Sequence, residues 1–248
     1  MAASYILLEH SLVNPDRFKL IYPAPPPPKS EQELMEAASR LAGRTLGQVA
    51  RERGVEVPNN QKRAKGWIGR LMELSLGATA SSLPKPDFEY IGVELKTLPV
   101  NRKGRPKEST YICTVPLTGI CGLEWGQSTV KQKLDRVLWV PVEADSALAV
   151  QSRRIGNPFL WSPDREQASA LRTDWEEFME LITLGELDLI NSRHGKVLQI
   201  RPKAANAGAR CRIPTASGET GFTLPRGFYL RTGFTREILK SAKLKVKS

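Results

Sequence analysis

The residues best suited to chemistry lie in one short stretch, which runs from Asp87 to Thr97. Side chains alternate between the two faces of a strand, so the apolar residues from Ile91 onward share one face, and Glu94 and Lys96 share the other. Asp87 lies in the turn before this strand. Paired carboxylates suit a hard cation such as Mg²⁺, and a lysine beside them can orient an attacking water and offset charge on a phosphate. The pattern is therefore typical of metal-dependent phosphodiester hydrolysis.

A second interpretation of the same stretch is a strand with one solvated face. Asp, Glu and Lys are common surface residues, and charged side chains alternating with apolar ones are also typical of a half-exposed strand. Motifs this short recur by accident. The spacing of Asp87, Glu94 and Lys96 therefore leaves both interpretations open.

Glu73 is a further candidate carboxylate. It lies in a helix predicted for residues 65–77, whose apolar residues occupy most of the circumference. Glycines surround it at helical spacing, and such a stripe lets a backbone or a ligand approach closely. Arg70 lies three residues earlier, so an ordinary helix ion pair between Arg70 and Glu73 is the alternative.

Capping and turn patterns predict the elements that must position these residues. Two helices begin at the capping boxes Ser30–Glu33 and Thr45–Gln48, the second ending near Gly54. A turn at 101–106 returns the chain into a strand at 110–116, and Lys133 lies on a short helix at 126–135. The remaining predictions are a buried strand at 137–142, a long helix capped by Ser162 that runs to Leu184, and a strand at 196–201. No repeat, P-loop or dinucleotide motif is present.

Composition limits the class of protein. The 248 residues can form a substantial core, with ordinary apolar and charged fractions of 40% and 25%. Three cysteines without CxxC spacing and only two histidines argue against a disulfide framework or a zinc site, and fit a reducing cytoplasm. We find no transmembrane stretch and no secretory signal.

The positive charge is concentrated at one end of the chain. Residues 193–248 hold 13 Lys/Arg and 2 Asp/Glu, which accounts for the whole net charge of +11. So uneven a distribution indicates a polyanion-binding surface, with nucleic acid as the first candidate. A membrane surface is disfavoured, because no long amphipathic helix with large apolar anchors lies here.

Two segments of this basic quarter suit DNA recognition. Arg201-Pro202-Lys203 and the segment from Leu224 to Arg231 interleave cations with aromatic residues. Arginine can bind guanine through two hydrogen bonds, and lysine suits phosphate as a point charge. Phe228 and Tyr229 can equally be core residues of a strand.

Several longer motifs make the sequence resemble one known family. They are Lys65-Gly66-Trp67-Ile68-Gly69, Asp87 with Gly92-Val93-Glu94-Leu95-Lys96-Thr97, Lys133-Leu134-Asp135-Arg136-Val137-Leu138-Trp139, Arg201-Pro202-Lys203-Ala204-Ala205-Asn206 and Leu224-Pro225-Arg226-Gly227-Phe228-Tyr229-Leu230. From about Ser30 to Leu239 the chain strongly resembles the MutH family, the strand-nicking endonucleases of methyl-directed DNA mismatch repair.

The resemblance implies a fold and a division of the chain. The family has an α/β restriction-endonuclease-like fold, a mixed sheet with helices in two arms around a DNA cleft. We therefore expect a single endonuclease domain at 30–248, with a catalytic arm at about 30–135 and a basic DNA-reading arm at about 136–248. Residues 1–29 end in a proline run and have no counterpart that we can match, so we expect a flexible leader there. The loop 207–221 also departs from the family in sequence and length.

The resemblance also implies roles for individual residues. Asp87 and Glu94 would bind Mg²⁺, Lys96 would assist the water and the phosphate, and Glu73 and Lys133 would complete the catalytic site. Other family positions face DNA: Arg201, Pro202, Lys203 and Tyr229 match those that read GATC and sense N6-methyladenine, and Lys65 and Tyr111 match further ones, Tyr111 where the family can carry Phe.

The expected function is nicking of the unmethylated strand at hemimethylated GATC in double-stranded DNA. The expected protein is a cytoplasmic monomer that MutL activates after MutS finds the mismatch. An autonomous GATC restriction enzyme and a non-catalytic DNA-binding module are the alternatives. The short chain argues against the first, and the intact Asp87, Glu94 and Lys96 argue against the second.

Overall fold

The computed structural model of the chain describes residues 24–59, 61–80, 84–203, 208–214 and 220–245. At positions 61–63, 65, 214, 220 and 243–245 it describes the backbone alone. The α-helices of this part of the chain are α1 (Glu31–Ser39), α2 (Leu46–Arg53), α3 (Gln61–Leu76), α4 (Thr129–Leu134), α5 (Arg165–Thr183) and α6 (Thr232–Lys245). The strands are β1 (Glu94–Val100), β2 (Thr110–Thr114), β3 (Val137–Glu143), β4 (Phe159–Trp161), β5 (Leu198–Pro202), β6 (Cys211–Pro214), β7 (Thr220–Thr223) and β8 (Arg226–Leu230).

Local capping explains where several helices begin and end. Thr45 and Gln48 form a reciprocal capping box at the start of α2, and α2 ends at Gly54, which has a φ of 62°. The N-cap of α5 is Asp164, so the prediction that Ser162 caps this helix is wrong. Asp164 forms its own capping box with Gln167, and the Ser162 hydroxyl donates instead to the carbonyl oxygen of Asp135.

The first sheet lies between two hydrophobic cores. Its strand order is β1-β3-β4, with β1 parallel to β3 and Glu94 in register with Val137. One face of β1 and β3, with Val93, Leu95 and Leu138, packs on the core formed with α1, α2 and α3. The other face, with Leu98 and Trp139, belongs to the larger core formed with α5, α6 and the second sheet. Because side chains alternate along β1, Glu94 and Lys96 lie on the face of the larger core.

The second sheet has the order β2-β8-β5, with β8 antiparallel to both neighbours. Phe228 of β8 is fully buried in the larger core, which confirms the core interpretation for that aromatic residue. Between β5 and β8 in sequence, β6 and β7 form a two-stranded antiparallel ribbon. The described chain is therefore mixed α/β, as predicted.

The strand that carries Glu94 and Lys96 begins later than predicted. We expected it from Ile91, but residues 89–91 form a turn of 3₁₀ helix that ends at Gly92 with a φ of 65°. A left-handed residue cannot continue a strand, so β1 starts at Glu94. The predicted helix at 126–135 also divides, into a 3₁₀ turn at Trp125–Gln127 and α4.

The predicted leader and the predicted division into two arms stay predictions. Residues 1–23 of the leader lie outside the described part of the chain. In its last part, Pro28 is buried, and the carbonyl oxygens of Pro25 and Pro26 lie so close to Gly77 that a Cβ there would meet them at 2.8 and 2.7 Å. The strands β1 and β3, which lie on either side of the predicted boundary at 135, pair with each other along the first sheet.

Candidate active site

A tight loop brings Asp87 beside the start of β1. The backbone groups of Phe88 and Val93 form hydrogen bonds with each other in both directions, which closes the loop that contains the 3₁₀ turn. The Leu95 amide then donates to Oδ2 of Asp87 over 2.9 Å. Asp87 and Glu94 are 6% and 1% exposed, so the interpretation of this stretch as a solvated face is wrong.

Two lysines neutralise the buried carboxylate of Glu94. Lys96, from the same face of β1, donates to Oε1 of Glu94. Lys133 of α4 donates to both carboxylate oxygens, over 3.1 Å to Oε1 and 2.9 Å to Oε2, and also to the carbonyl oxygen of Lys85 over 2.9 Å. With one cation on its own strand and one 39 residues away on a helix, Glu94 is the centre of the cluster.

Asp87 has a much less favourable electrostatic environment. Burial and repulsion from Glu94 raise the pKa of Asp87, attraction to Lys96 opposes both, and the net result is a pKa of about 7. Burial works to lower the pKa of Lys96, but attraction to Glu94 and Asp87 outweighs it, so the pKa of Lys96 is raised. Lys96 therefore stays charged, whereas Asp87 is poised to hold or release a proton near neutral pH.

Glu73 forms an ion pair within its own helix and interacts with the cluster through its charge. Its Oε2 accepts a hydrogen bond from Nη1 of Arg70 over 3.1 Å, so the helix ion pair is present. Its charge nonetheless contributes to the raised pKa of Asp87. Among the described residues, no group of three or more Asp, Glu, His or Cys side chains is arranged to hold a metal ion. The role of Glu73 in the acidic site stays a prediction.

The donor set at Asp87 and Glu94 fits a hard divalent cation. Both groups offer carboxylate oxygens, the ligands that Mg²⁺ prefers. Their mutual repulsion, which raises the pKa of Asp87, is what a bound cation would relieve. Oε1 of Glu94 accepts hydrogen bonds from both lysines, whereas Oε2 accepts one from Lys133 and so keeps capacity for a cation.

The predicted DNA-reading residues gather at one end of the second sheet. Tyr111 of β2 and Tyr229 of β8 are in register, and their ring centroids are 5.4 Å apart in an edge-on arrangement. The Arg201 guanidinium lies 5.9 Å from the Tyr229 ring and donates to the Ser109 hydroxyl over 2.9 Å. The Lys203 ammonium lies over the Tyr111 ring, 2.9 Å from its centroid.

The predicted reading residues and the predicted catalytic residues are close enough to interact electrostatically. Lys203 as a whole is exposed, but its ammonium loses hydration over the Tyr111 ring. This burial, together with repulsion from Lys96, lowers the pKa of Lys203 to about 8. Cys113 of β2 interacts electrostatically with both lysines, and burial raises the pKa of its thiol to about 12. The structure thus brings Lys203 and Lys96 together, from separate sheets.

The roles of two other predicted site residues, Pro202 and Lys65, stay predictions. Pro202 is the exposed last residue of β5, in register with Arg226. The backbone of Lys65 lies in α3, and its side chain is outside what the structure describes.

Gly227 and Ser109 were missed from the sequence. A Cβ on Gly227 would lie 2.8 Å from Cε2 of Tyr111 and 3.1 Å from Cε2 of Tyr229, so the missing side chain makes room for both rings. Glycine inside a strand pattern is a known sign of such close approach, and this signal was available. Ser109, which holds Arg201 from 92 residues away, gave no sequence signal.

Comparison with known proteins identifies relatives of this chain. A family model described as the DNA mismatch repair enzyme MutH matches residues 76–174. The DNA mismatch repair protein MutH of Vibrio parahaemolyticus is 51% identical over 90% of this chain and 99% of its own length. The MutH proteins of Photorhabdus laumondii and Shewanella amazonensis are 49% and 53% identical over 88% of this chain, and over 96% and 97% of their own lengths.

The mixed α/β fold and its site thus place the chain among the DNA endonucleases of the restriction-endonuclease-like class. Sequence identity of 51% and 49% over almost the full length of two relatives narrows the assignment to one family. The chain belongs to the MutH family, the endonucleases of DNA mismatch repair. Within the described ranges, none of its helices combines the length and apolarity that crossing a membrane requires.

Proposed function

We propose that this protein uses Mg²⁺ to nick the unmethylated strand of hemimethylated GATC sites. It acts as a monomer in the cytoplasm, and MutL activates it after MutS has found a mismatch. The observation that carries the proposal is the buried cluster of Asp87, Glu94, Lys96 and Lys133, in which two carboxylates and two lysines face one another.

Asp87 and Glu94 would hold the cation, which when bound stabilises negative charge on the scissile phosphate. The Lys96 ammonium is held at the rim of this pair by Glu94, and its raised pKa keeps it charged. From there it orients the attacking water and offsets the charge that develops on the phosphate oxygens. Lys133 holds the Glu94 carboxylate in position through hydrogen bonds to both of its oxygens.

Recognition of GATC would come from the end of the second sheet. Arg201 is pre-oriented by Ser109, and Lys203 is held over Tyr111, so cations face the DNA on a rigid aromatic base. Base edges in the major groove offer acceptors to these groups. A methyl group on adenine N6 would be rejected sterically or through the hydrogen bond it displaces, with Tyr229 as the sensor.

The proposal is tested by nicking of a supercoiled plasmid with a single GATC site. The plasmid is unmethylated, hemimethylated or fully methylated, and each form is incubated with Mg²⁺ or EDTA, with and without MutL. We expect nicking of the unmethylated strand only, dependent on Mg²⁺, increased by MutL and absent on fully methylated DNA. Rapid cutting of both strands without MutL would instead indicate an autonomous restriction enzyme.

The site assignment is tested with Lys96→Ala, which we expect to bind DNA and not to cut it. The matched control is Lys131→Ala, because Lys131 lies on α4, pairs with Asp135 at the surface and is outside the cluster. Lys96→Ala that cuts at the wild-type rate would overturn the assignment. Tight binding by the wild-type protein without cleavage under any condition would leave a DNA-binding module.

A further inference from the structure

The ribbon formed by β6 and β7 has one buried and one exposed face. In its register Arg212 lies directly opposite Phe222, and Ile213 opposite Gly221. Ile213 is 7% exposed and packs into the larger core, which fixes the orientation of the ribbon. Because side chains alternate along a strand, Arg212 and Phe222 both point away from that core. Both are exposed, and Phe222 is 68% exposed.

The ribbon continues from the DNA-reading end of the second sheet. The chain leaves β5 after Pro202 and returns into β8 at Arg226, and these two residues are in register with each other. Just beyond them the Lys203 amide donates to the carbonyl oxygen of Pro225 over 2.7 Å. The ribbon therefore lies in the chain between β5 and β8, which adjoin each other at the end of the sheet where Arg201 and Lys203 lie.

The chemistry of the exposed face favours nucleic acid. A single exposed aromatic residue would need no explanation. Here Phe222 lies beside an arginine on a ribbon in the basic quarter of the chain, residues 193–248. That quarter contains two acidic residues, Glu219 and Glu237. A two-stranded ribbon fits the major groove of B-form DNA, in which a phenylalanine can pack on the thymine methyl group and an arginine can reach phosphate.

We propose that the β6–β7 ribbon is a second DNA-binding element, which lies in the major groove beside the recognition site. Arg212 contacts a backbone phosphate, and Phe222 packs against the apolar edge of a flanking pyrimidine. The inference rests on the proposed function for the location of the recognition site. The ribbon adds contacts outside GATC, so the affinity of the protein for DNA should depend on the length of the flanking DNA.

The test compares Phe222→Ala and Arg212→Ala on two duplexes. One carries about one helical turn of DNA, roughly 10 bp, on each side of GATC, and the other is trimmed close to the site. Binding is measured in EDTA over a range of salt concentrations. On the long duplex we expect Phe222→Ala to bind about five- to tenfold more weakly with an unchanged salt dependence. Arg212→Ala should lower the slope of log K against log salt by about 0.9, the value for one phosphate contact.

On the trimmed duplex both variants should bind as the wild type does, and their unfolding midpoints should be unchanged because both side chains are exposed. Leu184→Ala and Arg172→Ala are the controls. Leu184, at the end of α5, and Arg172, on α5, are exposed residues of similar type outside the ribbon. We expect the controls to match the wild type on both duplexes.

Wild-type affinity of both ribbon variants for the long duplex would overturn the inference. An equal loss on both duplexes would do the same, because the contact would then lie within the recognition site. Normal binding combined with lost stimulation by MutL would assign the ribbon to a protein partner and overturn the DNA contact. If the wild-type protein shows no preference for GATC, the proposed function fails, while the comparison of flank lengths still tests the ribbon.

Discussion

Lys133→Met is expected to destabilise the protein by about 3 kcal/mol, because it leaves the carboxylate of Glu94 with one cation in place of two. The Lys133 ammonium is buried and donates to the Lys85 carbonyl and to both oxygens of Glu94. Removing one partner of a buried ion pair costs about 3–5 kcal/mol, and the remaining contact from Lys96 supports the lower end of that range. Methionine keeps the apolar stem, so lost packing contributes little.

The loss is measured by urea unfolding in EDTA, followed by tryptophan fluorescence. The midpoint should fall with no change in slope. Adding Mg²⁺ should then stabilise Lys133→Met more than the wild type, because a bound cation replaces the missing ammonium. Lys131→Met, at the exposed pair with Asp135, should stay within about 0.5 kcal/mol of the wild type.

A double-mutant cycle separates the ion pair from other effects. In a Glu94→Gln background the carboxylate charge is gone, so Lys133→Met should cost clearly less than in the wild type. Equal losses in the two backgrounds would refute the reasoning, as would a wild-type urea midpoint for Lys133→Met alone.

Three further predictions follow from the site and its supports. The pKa of Asp87 is raised from 3.8 to about 7, so protonation of Asp87 favours the folded state. In EDTA this stabilisation is complete below about pH 4 and disappears as the pH rises through about 7. Asp87→Asn should remove that part of the pH dependence of unfolding. Asp174 is 2% exposed and accepts hydrogen bonds from three successive amides at the start of β5. Asp174→Asn should therefore lower the free energy of unfolding in urea by about 3 kcal/mol and weaken DNA binding, and wild-type values of both would contradict this. Gly227→Ala should displace the rings of Tyr111 and Tyr229 and lower the discrimination between unmethylated and fully methylated GATC in a binding assay, with unchanged discrimination as the contrary result.

Local signals were sufficient for much of the fold. The capping box at Thr45, the left-handed end of α2 at Gly54 and the buried strand β3 each depend on a few neighbouring residues, and each is where the sequence predicted it. The order of Asp87, Glu94 and Lys96 was equally visible, because one loop and one strand carry all three.

The parts that could not be predicted depend on contacts between distant segments. Spacing alone gave no sign that Lys133 contacts Glu94, which only the family resemblance implied, and nothing in the sequence indicated that Asp174 binds the amides at the start of β5. The late start of β1 came from a competing 3₁₀ turn, which a period-two pattern does not register. The ribbon was hidden in a segment rich in Gly, Ser and Thr, whose composition favours a loop.

Because the predicted reading and catalytic residues lie close together, the position of the cut is constrained as the sequence of this enzyme diverges. Tyr111 and Cys113 lie on one short strand, β2, which joins the reading end of the second sheet to the neighbourhood of Lys96. Under the proposed function, the offset between the recognised bases and the bond that is cut is set by how the second sheet packs on the face of β1 in the shared larger core. Insertions and deletions in surface loops would then alter how tightly the protein holds DNA, while the position of the nick relative to its sequence would be inherited with the packing of the two sheets.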